Sequence, residues 1–179
     1  IPKAKLKGHK DNVNAVAYSP DGVRLASVGY QELRIWKVKT GQQERSLNLE
    51  EHLFSSVAFS PNGMRLVTAS GDGILRIWGI YAEDVMHAFK LPARLCSVLW
   101  TRSGIWAGDN NGVVFELNAD TGERLRTFSE NGGRVFSLSC SSDGMRLAVA
   151  TSLVDEGNNF FLWDTKGEML VAAHRLVQH

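Results

Sequence analysis

Short apolar runs that end in a glycine turn appear four times along the chain. Three of these turns carry almost the same octapeptide: SPDGVRLA from Ser19, SPNGMRLV from Ser60 and SSDGMRLA from Ser141. β-Rich runs that lead into such turn residues and a glycine predict strands that enter tight hairpins. We expect each glycine to supply the positive φ angle that its turn requires.

The turn glycines reveal the spacing of a repeat. Gly22, Gly63, Gly104 and Gly144 are separated by 41, 41 and 40 residues, so TRSG at 101–104 is an eroded copy of the same turn. Apolar columns precede the turns and read Val13, Phe54, Leu95, Val135, then Val16, Val57, Val98, Leu138, and finally Tyr18, Phe59, Trp100, Cys140. A fixed period of this length is typical of repeat architectures.

Each period continues with three more β-rich runs. The second runs are RLASVG, RLVTAS, IWAG and RLAVATS, and the third runs are LRIW, LRIW, VVFEL and NFFLW. Fourth runs such as ERSLNL and RLRTF follow a further turn signal. No long segment shows helical periodicity, so the pattern predicts units of four short antiparallel strands. One such unit cannot bury both faces of its sheet, whereas stacking of neighbouring units buries them.

With these features the chain resembles the WD40-repeat β-propellers over essentially its whole length. Gly8-His9 matches the opening motif of the first unit, and Trp163-Asp164 matches the closing motif of the fourth. The resemblance implies an all-β propeller of four blades, each with four antiparallel strands, as part of a seven- or eight-bladed ring. It also implies that the chain acts as a rigid platform for binding proteins or peptides.

The repeat and the resemblance together predict the blade boundaries. Residues 1–7 are expected to form the outer strand of a preceding blade, and the four blades to span 8–49, 50–90, 91–130 and 131–179 with its C-terminal edge. Open sheet edges carry unpaired backbone groups and invite further pairing. We therefore expect the remaining blades to come from the same longer chain or from a second copy, with a four-bladed monomer as the third alternative.

The resemblance also implies a buried network of a loop His, a strand Ser or Thr, a turn Asp and a Trp. The positions that match it are His9, Ser27, Trp36, Thr68, Asp72, Trp78, Thr151 and Trp163. Tyr30 stands in place of the turn Asp of the first unit, and Glu50 replaces the His of the second, although His52 follows closely. Leu117 replaces the Trp of the third unit, and Asn131 replaces the His of the fourth.

Departures from the repeat indicate candidate binding residues. In this family the loops between second and third strands lie where partners commonly dock, and the fourth unit extends this loop to SLVDEGNN at 152–159. The predicted partner-binding residues are Tyr30, Gln31, Glu32, Asp155, Glu156, Asn158 and Asn159. A loop Tyr suits an interface anchor. The alternatives are that Tyr30 packs over the neighbouring blade and that 152–159 is a solvated hairpin extension.

Composition and charge argue against other function classes. The 179 residues carry a formal net charge of +1, so no global field directs the chain to nucleic acid or to an anionic membrane. Cys96, Cys140 and the five histidines lack metal-ligand spacing. Adjacent Asp155 and Glu156 point to opposite sides of an extended segment instead of converging as acid and base. We therefore expect no catalytic residue, no metal and no cofactor.

These observations predict a non-catalytic scaffold for a protein or peptide partner. The chain has only two cysteines, without a close-spaced pair, which fits a reducing compartment. We therefore expect an intracellular protein, cytoplasmic or else nuclear. One alternative is a regulatory domain of a larger enzyme or signalling protein, with catalysis outside this chain. Another is an architectural subunit that contacts its assembly through the rim or the sheet edges.

Overall fold

The computed structural model describes residues 6–48, 53–82, 84–129, 133–153, 157–165 and 170–175. Within these ranges the chain forms four sheets of four strands each. The first sheet contains β1 (Val13–Tyr18), β2 (Arg24–Gly29), β3 (Glu32–Lys37) and β4 (Gln43–Asn48). The second contains β5 (Phe54–Phe59), β6 (Arg65–Ser70), β7 (Ile74–Gly79) and β8 (Val85–Lys90).

The third and fourth sheets repeat this order. The third contains β9 (Leu95–Trp100), β10 (Ile105–Asp109), β11 (Val113–Leu117) and β12 (Arg124–Ser129). The fourth contains β13 (Val135–Cys140), β14 (Arg146–Leu153), β15 (Gly157–Asp164) and β16 (Leu170–Arg175). Every neighbouring pair is antiparallel and consecutive in the chain. The prediction of an all-β propeller with four blades of four antiparallel strands is confirmed. No helix in the described ranges is long and apolar enough to cross a membrane.

The first strand of each sheet packs against the first strand of the next, so β5 lies between β1 and β9, and β13 lies beside β9. Three apolar clusters fill the layers between successive sheets. The column residues Phe54, Leu95 and Val135 are almost completely buried in these layers, as the repeat predicts. Burial of each such side chain contributes about 1.5–3 kcal/mol to the free energy of unfolding.

The corresponding column residues of the first sheet behave differently. Val16 is 59% exposed and Tyr18 is 64% exposed. Ala15 and Ala17 face the cluster shared with the second sheet, so alternation along β1 turns Val16 and Tyr18 to the opposite side. The expectation that every column residue fills a layer is therefore wrong for the first sheet, because no described strand precedes β1 to cover that side.

The hairpin turns follow the predicted chemistry at three of the four sites. Gly22, Gly63 and Gly144 have φ angles of 69°, 71° and 73°, which favour glycine. Gly104 is not in this left-handed region, so the prediction of a positive φ is wrong there. A Cβ at Gly104 would lie only 2.4 Å from the carbonyl oxygen of Leu117. The eroded turn therefore keeps its glycine because two backbone segments approach closely.

Candidate functional site

The turns between second and third strands lie at the same edge of the propeller as the loops that join successive sheets. In the second, third and fourth sheets, the residue just before the first strand, which we call the inner strand, accepts a backbone hydrogen bond from the end of the second strand or the turn that follows it. These bonds run from Gly71 to Leu53 at 3.0 Å, from Asn110 to Arg94 at 2.9 Å and from Ser152 to Arg134 at 3.0 Å. We call this side of the molecule the loop face.

A chain of side-chain hydrogen bonds lies beneath the loop face in the first sheet. The indole N–H of Trp36 donates to the Ser27 hydroxyl at 2.8 Å, and this Oγ lies 2.6 Å from Nε2 of His9. On the other side of the ring, Nδ1 of His9 lies 3.0 Å from a carboxylate oxygen of Glu32. The three predicted residues His9, Ser27 and Trp36 are thus brought together, with Glu32 as a fourth member.

Glu32 supplies the carboxylate of the first-sheet network, although Tyr30 stands at the turn-Asp position of the repeat. It is only 7% exposed, and Arg34 donates to its carboxylate from Nε at 3.1 Å and from Nη2 at 3.2 Å. The hydrogen bond from Arg34 is the main reason that the pKa of Glu32 lies below its ordinary value. Glu32 was predicted as a partner-binding residue, and its burial now favours support of the His9 loop instead. The sequence signal for this role was the position of Glu32 two residues after Tyr30, because residues two positions apart in an extended segment lie on the same side.

Burial governs the charge of His9. Removal of the ring from solvent lowers the pKa of His9 below 6.5, although the nearby Glu32 carboxylate opposes this shift. The neutral ring can accept the Ser27 hydroxyl proton at Nε2 while Nδ1 faces the carboxylate. This arrangement satisfies the polar atoms of Ser27 and Trp36 and fixes the loop that precedes β1.

The second sheet divides the network into two parts. The indole of Trp78 donates to the Thr68 hydroxyl at 3.0 Å. Asp72 instead accepts from the Ser70 hydroxyl, from the backbone N–H of Ile74 at 3.0 Å and from Arg76 at 2.6 Å. Burial alone would raise the pKa of Asp72, but these hydrogen bonds outweigh it and lower the pKa to about 2. Asp72 therefore fixes the turn between β6 and β7. Glu50 and His52 lie outside the described residues.

The third and fourth sheets replace hydrogen bonds by aromatic packing. Trp106 on β10 is 1% exposed and its ring lies 5.7 Å from that of Phe128, which in turn meets Trp163 edge-on at 4.7 Å. The buried hydroxyl of Thr151 and the indole N–H of Trp106 have no hydrogen-bond partner among the described residues. Thr151 and Trp163 are thus buried, as the network requires, without a bond between them. Asn131 lies outside the described residues.

Tyr30, a predicted partner-binding residue, is exposed on the loop face. Its side chain is 50% exposed, directly beside the buried Glu32. A cavity of about 240 Å³ borders it, and the other lining residues are His9, Lys10, Asp11, Gln31, Glu32 and Asn48. Gln31 is exposed at the same turn. Tyr30 therefore combines a solvent-facing ring with a rigid base.

The predicted loop extension of the fourth unit is shorter than expected. β14 and β15 pair as far as Ser152 with Asn158 and Leu153 with Gly157, so most of the residues expected in the extended loop over 152–159 belong to strands. This cross-strand pairing agrees with the alternative of a hairpin extension. Asn158 and Asn159 are strand residues, and Asp155 and Glu156 lie outside the described residues. Their role in partner binding stays a prediction.

A second concave surface lies on the side opposite the loop face. It has a volume of about 810 Å³ and is bordered by inner-strand ends and first-turn residues of all four sheets, among them Tyr18, Phe59, Trp100 and Cys140. Among the described residues, no group of three or more His, Cys, Asp or Glu side chains could hold a metal ion. Of its aromatic lining residues Tyr18 is exposed, whereas Phe59 and Trp100 are buried.

Comparisons with known proteins agree with this architecture. Residues 1–37 and 42–79 match the family model described as WD domain, G-beta repeat. WD repeat-containing protein 1 of Gallus gallus is 26% identical over 79% of this chain and 27% of its own length. Cilia- and flagella-associated protein 52 of Mus musculus is 28% identical over 92% of this chain and 28% of its own length.

A third relative comes from a plant. Small ribosomal subunit protein RACK1y of Oryza sativa subsp. japonica is 33% identical over 63% of this chain and 36% of its own length. The chain thus spans 27% to 36% of the length of these three relatives.

Proposed function

The chain belongs to the WD40-repeat family, and from this premise we propose that it is a non-catalytic scaffold whose loop face binds a protein or peptide. The observation that carries this proposal is the exposed ring of Tyr30 above the buried His9–Ser27–Trp36 chain. A side chain on a rigid base loses little conformational freedom on binding, so more of its contact energy becomes affinity. Tyr is also among the residues that dominate interface energetics.

The proposal assigns recognition to two groups of residues. Tyr30 and Gln31 form the first group, and Asp155, Glu156, Asn158 and Asn159 form the second. The proposed setting is intracellular, with the cytoplasm as first choice and the nucleus as alternative. One relative is named as associated with cilia and flagella, and another as a protein of the small ribosomal subunit. Both names are consistent with such a setting.

The decisive experiment compares partner capture by tagged wild-type protein with capture by the double variant Tyr30→Ala/Glu156→Gln. Proteins that the wild type retains and the double variant loses are loop-face partners. Tyr81→Ala is the matched control, because Tyr81 is 68% exposed but lies in the turn between β7 and β8, away from the loop face. Equal capture by wild type and double variant contradicts the assignment of recognition to these residues.

A second candidate function is architectural, and the exposed side of the first sheet favours it. Val16 and Tyr18 leave apolar surface open where a neighbouring blade would pack. We propose that further blades, from the same longer chain or from a second copy, cover this side in a seven- or eight-bladed ring. In an assembly that contacts only the rim or the sheet edges, the Tyr30→Ala/Glu156→Gln variant assembles normally. A regulatory domain of a larger enzyme remains the third alternative.

A further inference from the structure

Two arginines occupy equivalent positions on the loop face of neighbouring blades. The residue just before the inner strand is Asn12, Leu53, Arg94 and Arg134 in the four successive sheets. The backbone carbonyls of Arg94 and Arg134 are held by hydrogen bonds from Asn110 and Ser152. Both side chains are exposed. The fold therefore presents two guanidinium groups from fixed backbone positions, one blade apart.

A recurrent β-bulge determines what stands beside these arginines. The strand register shifts at the second residue of every inner strand, and the bulged residues are Asn14, Ser55, Cys96 and Phe136. Asn14 donates to the carbonyl of Phe54, and Ser55 donates to that of Leu95, so both tie one blade to the next. Phe136 has no polar group for such a bond and is 53% exposed. A bulge redirects a side chain. No described sheet follows the fourth, so the Phe136 ring is not covered by a next blade.

The arginine side chains lie back over the preceding blade. Arg94 lies over the turn of the second sheet, since a Cβ at Gly71 would be 3.3 Å from its Nε. Arg134 lies 5.5 Å above the ring of Phe136 and within hydrogen-bonding reach of the Cys96 thiol. The two exposed arginines on neighbouring blades, Arg94 and Arg134, are here called the arginine strip.

No carboxylate that the structure describes compensates the charge of the arginine strip. Arg34 and Arg76 form close ion pairs with Glu32 and Asp72, whereas within the described ranges neither Arg94 nor Arg134 forms an ion pair. Asp109 is near Cys96 but is 1% exposed, and its carboxylate accepts the backbone N–H groups of Asn111 and Val113. Two exposed positive charges that have no carboxylate partner among the described residues complement an acidic peptide.

We infer that the arginine strip binds an acidic segment of a partner protein, with carboxylates paired to Arg94 and Arg134. This inference rests on the proposed scaffold function and specifies the chemistry of its partner. A guanidinium group binds a carboxylate through two parallel hydrogen bonds. A guanidinium stacked on an aromatic ring, as in Arg134 and Phe136, is already oriented for such a contact.

The test uses a fluorescein-labelled peptide of sequence Asp-Glu-Leu-Asp-Glu and its amide counterpart Asn-Gln-Leu-Asn-Gln, measured by fluorescence anisotropy with the full 179-residue chain. We expect the acidic peptide to bind and the amide peptide not to bind. Arg94→Gln and Arg134→Gln each weaken binding about threefold to fivefold, as the removal of an exposed charge pair does. Added salt weakens binding further, because the charges are open to solvent.

Arg102→Gln is the matched control, since Arg102 is exposed in the turn between β9 and β10 on the opposite side. Binding that falls equally in Arg102→Gln reports only net charge and overturns the inference. The acidic residues Asp155 and Glu156 of the chain itself are the competing occupant. Binding that appears only in Asp155→Asn/Glu156→Gln and not in the wild type also overturns the inference.

The capture experiment separates this inference from the proposed function. If Arg94→Gln/Arg134→Gln still captures the partners that Tyr30→Ala/Glu156→Gln loses, and the acidic peptide does not bind, the scaffold function stands and the arginine strip is excluded. If all variants capture the same proteins as the wild type, the proposed function fails as well. Unchanged thermal unfolding of each variant shows that the substitutions left the fold intact.

Discussion

Nε2 of His9 and Oγ of Ser27 lie 2.6 Å apart, although 18 residues separate them in the chain. This contact joins the loop before β1 to the centre of the first sheet and extends through Ser27 to Trp36. The loop that precedes the inner strand is therefore held by a buried hydroxyl. The stability of the first blade depends on the charge of His9 and on the presence of the Ser27 hydroxyl.

We expect the free energy of unfolding to fall as the pH drops through about 6.5, the ordinary pKa of His. The pKa of His9 is lowered in the folded protein, so the unfolded chain binds the proton more readily and acid favours unfolding. His9→Gln removes this dependence, whereas His87→Gln, on the outer strand β8, keeps it. Urea unfolding at a series of pH values gives the slope of the free energy of unfolding against pH for each variant. A His9→Gln protein with the wild-type slope would show that another group is responsible.

Ser27→Ala should lower the free energy of unfolding by about 1–3 kcal/mol. The substitution leaves the indole N–H of Trp36 without its acceptor and removes the donor to His9 in a buried site. Ser103→Ala, in an exposed turn, is the control and should change stability by less than about 0.5 kcal/mol. Chemical denaturation monitored by tryptophan fluorescence gives both values. Equal stability of Ser27→Ala and wild type contradicts a stabilising role of the hydrogen bonds among His9, Ser27 and Trp36.

Asp72 should make the protein sensitive to stronger acid. Hydrogen bonds lower its pKa from 3.8 to about 2, so its contribution to stability is complete above its unfolded pKa and is lost as the pH falls from about 4 towards 2. Asp72→Asn should reduce the melting temperature at neutral pH and flatten its decrease between about pH 4 and 2. Asp120→Asn is the control, because Asp120 pairs with Arg65 but its side chain is 75% exposed. Parallel melting curves for wild type and Asp72→Asn would contradict this prediction.

Trp106 and Trp78 should respond differently to the same substitution. Both are about 1% exposed, but Trp78 donates to Thr68, whereas the indole N–H of Trp106 has no acceptor in the described part of the chain. Replacement of either ring by Phe leaves a cavity, yet only Trp78→Phe also breaks a buried hydrogen bond. We expect Trp78→Phe to cost about 1 kcal/mol more than Trp106→Phe in equilibrium unfolding. A larger cost for Trp106→Phe would show that its N–H is satisfied in solution.

The uncovered side of the first sheet should control association. Light scattering after size exclusion is expected to give a mass above 19.8 kDa that rises with concentration, because Val16 and Tyr18 leave apolar surface open. Val16→Glu should shift the protein towards the monomer without a loss of stability. Val23→Glu is the control, since Val23 is 54% exposed in the turn after β1. A clean wild-type monomer at every concentration would show that no second copy covers this side.

Local chemistry explains why the blades could be predicted from the amino-acid sequence. Hairpin strands and their turns are set by residues close together in the chain, so a 41-residue period with Gly22 and Gly63 at its turns was enough to define four antiparallel sheets. The same period placed Phe54, Leu95 and Val135 in the layers between sheets. Stacking follows because an amphipathic sheet buries its apolar side only against a neighbour.

Contacts between segments distant in the chain were decided only by the tertiary structure. The carboxylate of Glu32 beside His9 follows from the path of the loop before β1, not from a shared position in the repeat. The Cys96 and Phe136 side chains project from bulges that shift the strand register by one residue, which a period-two pattern does not reveal. The sequence by itself therefore determined the blades and their order. The folded chain alone decided which carboxylate completes the network and that the arginines share one surface, because both depend on how neighbouring blades meet.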